Sequence, residues 1–305
     1  MNGRISLLGV LLGLQLIIVA LVWFARAGAG DAAPETLLAF SPPAVDELRV
    51  SGADDAAAVI IRRAGDGWEL PSGLPADAAK VAEVLEQLAG VEASWAVATS
   101  AGARERFEVT EENHQRHLVL SGAGETLADL YLGTSPGFQK VHARAADADS
   151  VFSVALSNYQ FPTETDEWLD RTLLQPEGDV VAVERVGEWR LERGEPDWRL
   201  VDGDADSEAA AELVRRFAEL RVSGTAPAPA DGVEPTAEFR ISDRAGDYIL
   251  TLYGAADDES YAVRSSRREG AVFGLAAHQA GRLLEDRAAL VGAAAEPAGD
   301  GAASE

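Results

Sequence analysis

The stretch LGTSPGFQKVHAR, residues 132–144, combines side chains that could bind an anion or take part in proton transfer. The candidates are Thr134, Ser135, Lys140, His142 and Arg144. A phosphate-binding loop needs Gly-Lys-Ser/Thr followed directly by a helix. Here Phe-Gln separates Gly137 from Lys140 and a strand pattern follows, so that requirement is not met. Two interpretations stay open: a structural turn between two strands, or a loop that contacts a ligand or a partner.

A pair of histidines, His114 and His117, has H-x-x-H spacing. On a helix, two imidazoles at this spacing could share a metal ion, but a zinc site needs three or four ligands. No third ligand is evident nearby in the sequence. We therefore expect histidines at the surface or at a strand edge, and no metal site.

The acidic run DGDAD resembles the start of a calcium-binding loop, with Asp202, Asp204 and Asp206 at alternate positions. Ser207 stands where that loop requires glycine, and Leu213 stands where it requires a bidentate glutamate. The run therefore predicts a turn followed by a helix N-cap.

A second acidic cluster lies in TETDEWLD. Its members are Glu164, Asp166, Glu167 and Asp170. Two carboxylates can act as acid and base when a cleft holds them about 5 to 9 Å apart. The chain has 51 acidic residues, however, so a cluster of four is expected by chance. The sequence also has no G-x-S-x-G, no H-E-x-x-H and no G-x-G-x-x-G before a helix. We therefore predict no catalytic residues, no cofactor and no enzymatic activity.

Composition narrows the possible partners. The 51 acidic residues stand against 26 basic ones, for a net charge of −25, and such a field repels nucleic acid. Cysteine is absent, which excludes disulfides, thiolate zinc sites and a cysteine nucleophile.

The elements that must position these residues form an order that occurs twice. The runs ELRVSG, AAVIIRR and GWEL have strand patterns. LPADAAKVAEVLEQLAGV has helical periodicity, and we expect Pro75 to start this helix and Gly90 to end it. HLVLSG and LADLYLG then return to strand patterns. The apolar face of the helix comprises Val81, Val84, Leu85 and Leu88.

The second copy begins near residue 178. VVAVERV, EWRLER and PDWRLV predict strands, and DSEAAAELVRRFAELRV predicts a helix with Leu213, Phe217 and Leu220 on one face. DGWEL matches PDWRL, which pairs Trp68 with Trp198 as core residues, and VHAR matches YAVR. We therefore predict two tandem, duplicated α+β units with mainly antiparallel sheets and one packed helix each, over residues 38–175 and 176–292. A helical connector would carry Trp168, Leu169, Leu173 and Leu174.

The N-terminal segment is apolar. Residues 5–24 hold no charge and are long enough to span the roughly 30 Å hydrocarbon core of a bilayer. We expect a transmembrane anchor over residues 1–27 with its N-terminus in the cytoplasm, a linker over 28–37 and a disordered tail over 293–305. The small residues in ARAGAG leave open a cleaved signal peptide, although the apolar run is longer than a usual signal core.

The strand GDGWEL, the helix PADAAKVAEVLEQLAGV, the hairpin LGTSPGFQKVHAR with VFSV, and the segment WLDRTLL occur together in this chain. In this combination the chain resembles the bacterial family called domain of unknown function 4340, over about residues 38–290. RFEVTEEN departs from the GLD-x-P stretch of that family. The resemblance implies a membrane-tethered extracytoplasmic protein without established enzymatic activity, similar to accessory components of ABC-type export systems.

From the anchor, the duplication and the resemblance we expect a single-pass protein of the inner membrane whose bulk is periplasmic and binds a protein partner in the cell envelope. The resemblance implies an ABC permease or ATPase as that partner, and another component of the envelope stays open. Two alternatives stay open: a module that binds an envelope ligand between the two units, and a hydrolase that uses carboxylates.

Overall fold

The computed structural model of this protein describes residues 13, 15–20, 35–53, 57–195, 197–255, 258–284 and 287–291. Most of the expected anchor, most of the linker and the expected tail lie outside these residues. Residues 15–20 are helical, and their apolar side chains Leu16, Ile17, Ile18 and Val19 are exposed. Within the described ranges, no helix is both long enough and apolar enough to cross a bilayer.

The fold is mixed α+β, with two large antiparallel sheets and few helices. The strands are β1 Glu35–Thr36, β2 Glu47–Ser51, β3 Val59–Ala64, β4 Gly67–Glu69, β5 Glu92–Ala93, β6 Arg116–Gly122, β7 Glu125–Leu132, β8 Val141–Ala145, β9 Phe152–Val154, β10 Ala182–Arg185, β11 Trp189–Arg193, β12 Trp198–Leu200, β13 Gly224–Thr225, β14 Ala237–Asp243, β15 Gly246–Tyr253, β16 Ser260–Ser265 and β17 Val272–Ala276. The α-helices are α1 Ala78–Ala89, α2 Ala101–Arg106, α3 Ser207–Ala218, α4 Ala277–Leu283 and α5 Arg287–Leu290.

The described residues divide into two compact units, one within residues 1–63 and 79–163 and the other within residues 64–78 and 164–305. The seven-stranded sheet, most of whose strands belong to the first unit, has the order β4-β3-β2-β6-β7-β8-β9. The eight-stranded sheet of the second unit has the order β12-β11-β10-β14-β15-β16-β17-β13. If β12 is taken to correspond to β4 and β17 to β9, the first seven strands of the eight-stranded sheet have the same order as the strands of the seven-stranded sheet. In both sheets a helix, α1 or α3, follows the first three strands along the chain.

The predicted apolar face of α1 is buried: Val81, Val84, Leu85 and Leu88 are all core residues. The expectation that Pro75 begins this helix is wrong. Backbone bonds hold residues 75–77 extended, from the Ala76 N–H to the Trp68 carbonyl (2.8 Å) and from the Asp77 N–H to the Trp168 carbonyl (2.7 Å). The Pro75 carbonyl accepts from the Asp170 N–H at 2.9 Å and is therefore taken by a strand-like contact, so α1 begins only at Ala78.

The helix α3, which corresponds to α1 in the second copy, has the predicted N-cap. The Asp206 carboxylate accepts hydrogen bonds from the backbone N–H groups of Glu208 and Ala209. Leu213 and Phe217 are buried on its inner face, and the Phe217 ring meets the ring of Phe239 edge-on at 5.2 Å. Leu220 is also buried, although it lies beyond the end of the helix.

The prediction that the connector around Trp168 is helical is wrong. Thr165–Trp168 forms one short 3₁₀ turn, and Leu169 is already extended because it makes a β-bridge with Ala76. The Asp170 side chain then accepts a bond from the Thr172 N–H at 2.9 Å, which turns the chain again. Trp168, Leu169 and Leu174 are nonetheless buried, and Leu173 is partly buried.

Candidate functional site

The candidate loop, residues 133–140, joins two neighbouring antiparallel strands. β7 pairs with β8 so that Tyr131 lies opposite Arg144. The corresponding strands of the second unit, β15 and β16, form the same kind of hairpin, with Thr251 opposite Arg264. The loop is therefore the turn of a β-hairpin, as the strand pattern predicts.

The tip of this loop points to solvent. The Ser135 hydroxyl lies 2.8 Å from the Gly137 carbonyl and 2.7 Å from the Lys140 carbonyl, so its single proton is donated within the turn. Gln139 has a φ of 51°, in the left-handed region. The Phe138 side chain is 90% exposed, and Lys140 beside it is exposed. The loop therefore presents an aromatic ring, that of Phe138, and an ammonium group, that of Lys140, to solvent.

His142 points the other way, into the unit. It is buried, its ring stacks on Phe107 at 4.1 Å, and its Nδ1 lies 2.9 Å from the Thr134 hydroxyl. Burial lowers the pKa of His142, and the charge of Arg106 acts in the same direction. A buried neutral imidazole against a phenyl ring packs the hairpin and is poorly placed to meet a substrate.

Arg144 is buried too, and its guanidinium is hydrogen-bonded inside the first unit. The guanidinium donates to the carbonyls of Val109 (2.6 Å), Ala145 (3.1 Å), Ala146 (2.8 Å) and Ala148 (2.9 Å). It also lies 5.0 Å from the centre of the Tyr131 ring. An arginine whose donors are bound to backbone carbonyls fixes a chain crossing, so Arg144 is not available to an anion.

One segment covers both buried side chains. Residues 99–115, which we call the covering segment, contain α2 and pass over β7 and β8. The Thr134 N–H donates to the Phe107 carbonyl at 2.9 Å. A Cβ atom on Gly133 would lie 1.9 Å from that same carbonyl, so the crossing requires a glycine here. The candidate residues therefore split into an inner group, Thr134, His142 and Arg144, and an outer group, Ser135 and Lys140.

Three of the four histidines of the chain lie on this same face of the sheet. His117 is 2.8 Å from an Asp129 carboxylate oxygen and stacks on Tyr131 at 4.4 Å, while His114 is buried and meets His117 edge-on at 5.6 Å. The expectation of surface or strand-edge histidines is therefore wrong, because His117 is on the central strand β6 and His114 is in the core. Alternation along β8 could have placed His142 and Arg144 on one face, but their relation to His117 on β6 depends on the pairing register.

The other motifs occupy structural positions. The carboxylate of Asp166 accepts from the backbone N–H of Thr225 at 2.8 Å. Trp68 is buried as expected, whereas Trp198 is only partly buried and has Arg193 over its ring at 6.0 Å. Among the described residues, no group of three or more His, Asp or Glu side chains is arranged to hold a metal ion.

Residues 68–240, which run from β4 to β14, match the family model described as Domain of unknown function (DUF4340). The chain belongs to this family. The match crosses from the first set of strands into the second, so it includes α1, the hairpin loop and α3. No curated protein and no solved structure matches the chain.

Proposed function

We propose that this DUF4340 protein is a non-enzymatic, membrane-anchored protein of the cell envelope that binds a protein partner. The division of the candidate loop carries the proposal: His142 and Arg144 are bonded inside the unit, while Phe138 and Lys140 are presented to solvent. Aromatic side chains such as Phe138 are enriched in protein interfaces.

The anchor and the location are part of the same proposal. Residues 5–24 hold no charge, and the described part of that run, residues 15–20, is helical with exposed apolar side chains. A bilayer would cover such side chains. Arg4 before the apolar run and the acidic chain after it favour an N-terminus in the cytoplasm and a bulk in the periplasm.

A place beside an ABC-type exporter rests on the family resemblance, and the tandem duplication supports a scaffold with two partner-binding units. Two sheets with one strand order are expected from duplication of a single α+β unit.

The two alternatives gain no support from the geometry. A ligand cleft lined by Lys140, His142 and Arg144 would need the two buried side chains to be accessible. An acid catalyst would need a raised carboxyl pKa. The buried carboxylate of the second unit, Asp243, is instead held by the Arg267 guanidinium, which lowers its pKa.

Crosslinking in intact cells tests this function. We expect an ABC permease or ATPase to be enriched with the full-length protein, and to be lost when residues 1–27 are replaced by a cleavable signal. Phe138→Ala should also reduce the enrichment. Tyr159→Ala is the matched control, because Tyr159 is equally exposed, at 93%, and lies on the turn Asn158–Gln160 of the same unit. Equal recovery from anchored and released forms, or no enriched partner, would overturn the proposal.

A further inference from the structure

The two sheets differ in what covers one of their faces. In the first unit the covering segment packs against Tyr131, Val151 and Ala146 through Phe107 and Val109. In the second unit the corresponding connection, residues 226–236, contains no helix or strand.

This connection reaches the face formed by β14, β15 and β16 at Ala228 and leaves the rest of that face open. Glu238, Ile249, Thr251 and Tyr253 are only partly buried there, and Arg264 is exposed. These side chains line a depression of about 610 Å³. The loop after β16 closes one side of it with Arg268 and Glu269.

Arg144 and Arg264 occupy corresponding positions in the two hairpins but differ in their hydrogen-bond acceptors. Arg144 lies opposite Tyr131 and is bonded to four carbonyls. Arg264, at the same place in the second hairpin, lies 5.4 Å from the centre of the Tyr253 ring and has no hydrogen-bond acceptor or ion pair among the described residues.

A second guanidinium lines the same depression. Nε of Arg268 is buried and has no acceptor among the residues that the structure describes. A buried guanidinium N–H without an acceptor is costly, and an incoming carboxylate or carbonyl oxygen would remove that cost.

We infer that this open face binds an extended acidic segment of a partner protein. The segment lies where the covering segment lies in the first unit, gives backbone carbonyls to Arg264 and places an Asp or Glu side chain between Arg264 and Arg268. Glu238 and Glu269, which also line the depression, favour a basic residue elsewhere on the same segment. The inference rests on the proposed partner-binding function and assigns one surface and one ligand chemistry to it.

Site-specific photocrosslinking in cells tests the surface. The full-length protein carries p-benzoylphenylalanine in place of Thr251, the residue opposite Arg264, and the crosslinked peptide is sequenced. We expect an adduct with another protein, at a segment that contains Asp or Glu. Arg264→Ala should reduce its yield about tenfold, as the loss of about 1.4 kcal/mol of binding free energy would.

Arg193→Ala is the matched control for Arg264→Ala. Arg193 is also an exposed arginine over an aromatic ring in the second unit, and it does not line the depression. Its variant should leave the adduct yield unchanged. Equal losses in the two variants would overturn the inference.

A second probe position separates this inference from the proposed function. An adduct from position 138 without one from position 251 overturns the open face as a binding surface and leaves the proposed function standing. An adduct with a second copy of this chain at position 251, or with a segment that lacks Asp and Glu, also overturns the inference. No adduct from either position overturns both proposals.

Discussion

Replacing Asp243 by asparagine should destabilise the second unit by about 3 kcal/mol. The side chain of Asp243 is fully buried, and its two oxygens accept four hydrogen bonds. Two come from Arg267, at 2.8 and 2.6 Å, and two come from the backbone N–H groups of Glu177 and Ala245, each at 2.8 Å. The Arg267 guanidinium also lies 4.0 Å from the centre of the Tyr248 ring.

The magnitude follows from the acceptors that asparagine lacks. Its amide has one oxygen, so at least two of the four bonds are lost and an NH₂ group faces other donors. A hydrogen bond to a charged group contributes about 1.5 to 3 kcal/mol. Because the Arg267 side chain is 21% exposed, water recovers part of the loss, which gives the figure of about 3 kcal/mol.

Hydrogen exchange of β14 and β15 measures this change in the second unit alone. A loss of about 3 kcal/mol should speed exchange of the slowest amides about a hundredfold. Asp247→Asn makes the same chemical change at an exposed position on β15 and should change the free energy of unfolding by less than about 0.5 kcal/mol. Exchange in Asp243→Asn within twofold of this control would refute the reasoning.

The pH dependence gives an independent check on Asp243. Its hydrogen bonds with Arg267 lower its pKa in the folded state. A lowered carboxyl pKa contributes stability that is present above the unfolded value of about 3.9 and is lost as pH falls through the folded value. The difference in stability between the native protein and Asp243→Asn should therefore be constant above about pH 5 and shrink below about pH 4.

Three further outcomes are expected for residues of the first unit, and one of the control variants is in the second unit. Gly133→Ala should cost about 2 to 4 kcal/mol in urea unfolding, because its Cβ would overlap a carbonyl of the covering segment, while Gly137→Ala, with open space around it, should be neutral. Arg144→Ala should cost about 2 to 4 kcal/mol in the same assay because it leaves four carbonyls without their donor, and Arg264→Ala should cost less than about 0.5 kcal/mol. Because burial lowers the pKa of His142, the unfolded state binds its proton first, so stability should fall as pH drops below about 6.5, and His142→Gln should flatten that dependence in a pH series of unfolding curves. Equal effects within either matched pair, or an unchanged pH dependence in His142→Gln, would contradict these assignments.

Features that depend on neighbouring residues could be predicted from the sequence. The apolar stripe of α1, the N-cap at Asp206 and the hairpin around residues 133–140 are all present as expected. The repeated order of strands and helix is visible in the matched runs and recurs in the order of the two sheets. Periodicity, caps and turns act within a few residues, so one sequence is enough to detect them.

Features that depend on distant residues were decided by the tertiary structure. The hairpin sequence contains Arg144 and His142, but whether they face a ligand or the protein depends on the covering segment, and the bond from Arg144 to Val109 spans 35 residues. The expected connector helix is replaced by a 3₁₀ turn, because Leu169 makes a β-bridge with the distant residue Ala76. His114 is buried, with the ring of Tyr131 from strand β7 at 5.2 Å. The sequence by itself determined the helices α1 and α3, the main strands around them and the repetition of their order. Only the tertiary structure decided which side chains are bonded inside the protein and which, at Phe138, Lys140 and Arg264, are exposed, because burial depends on which segment covers which face.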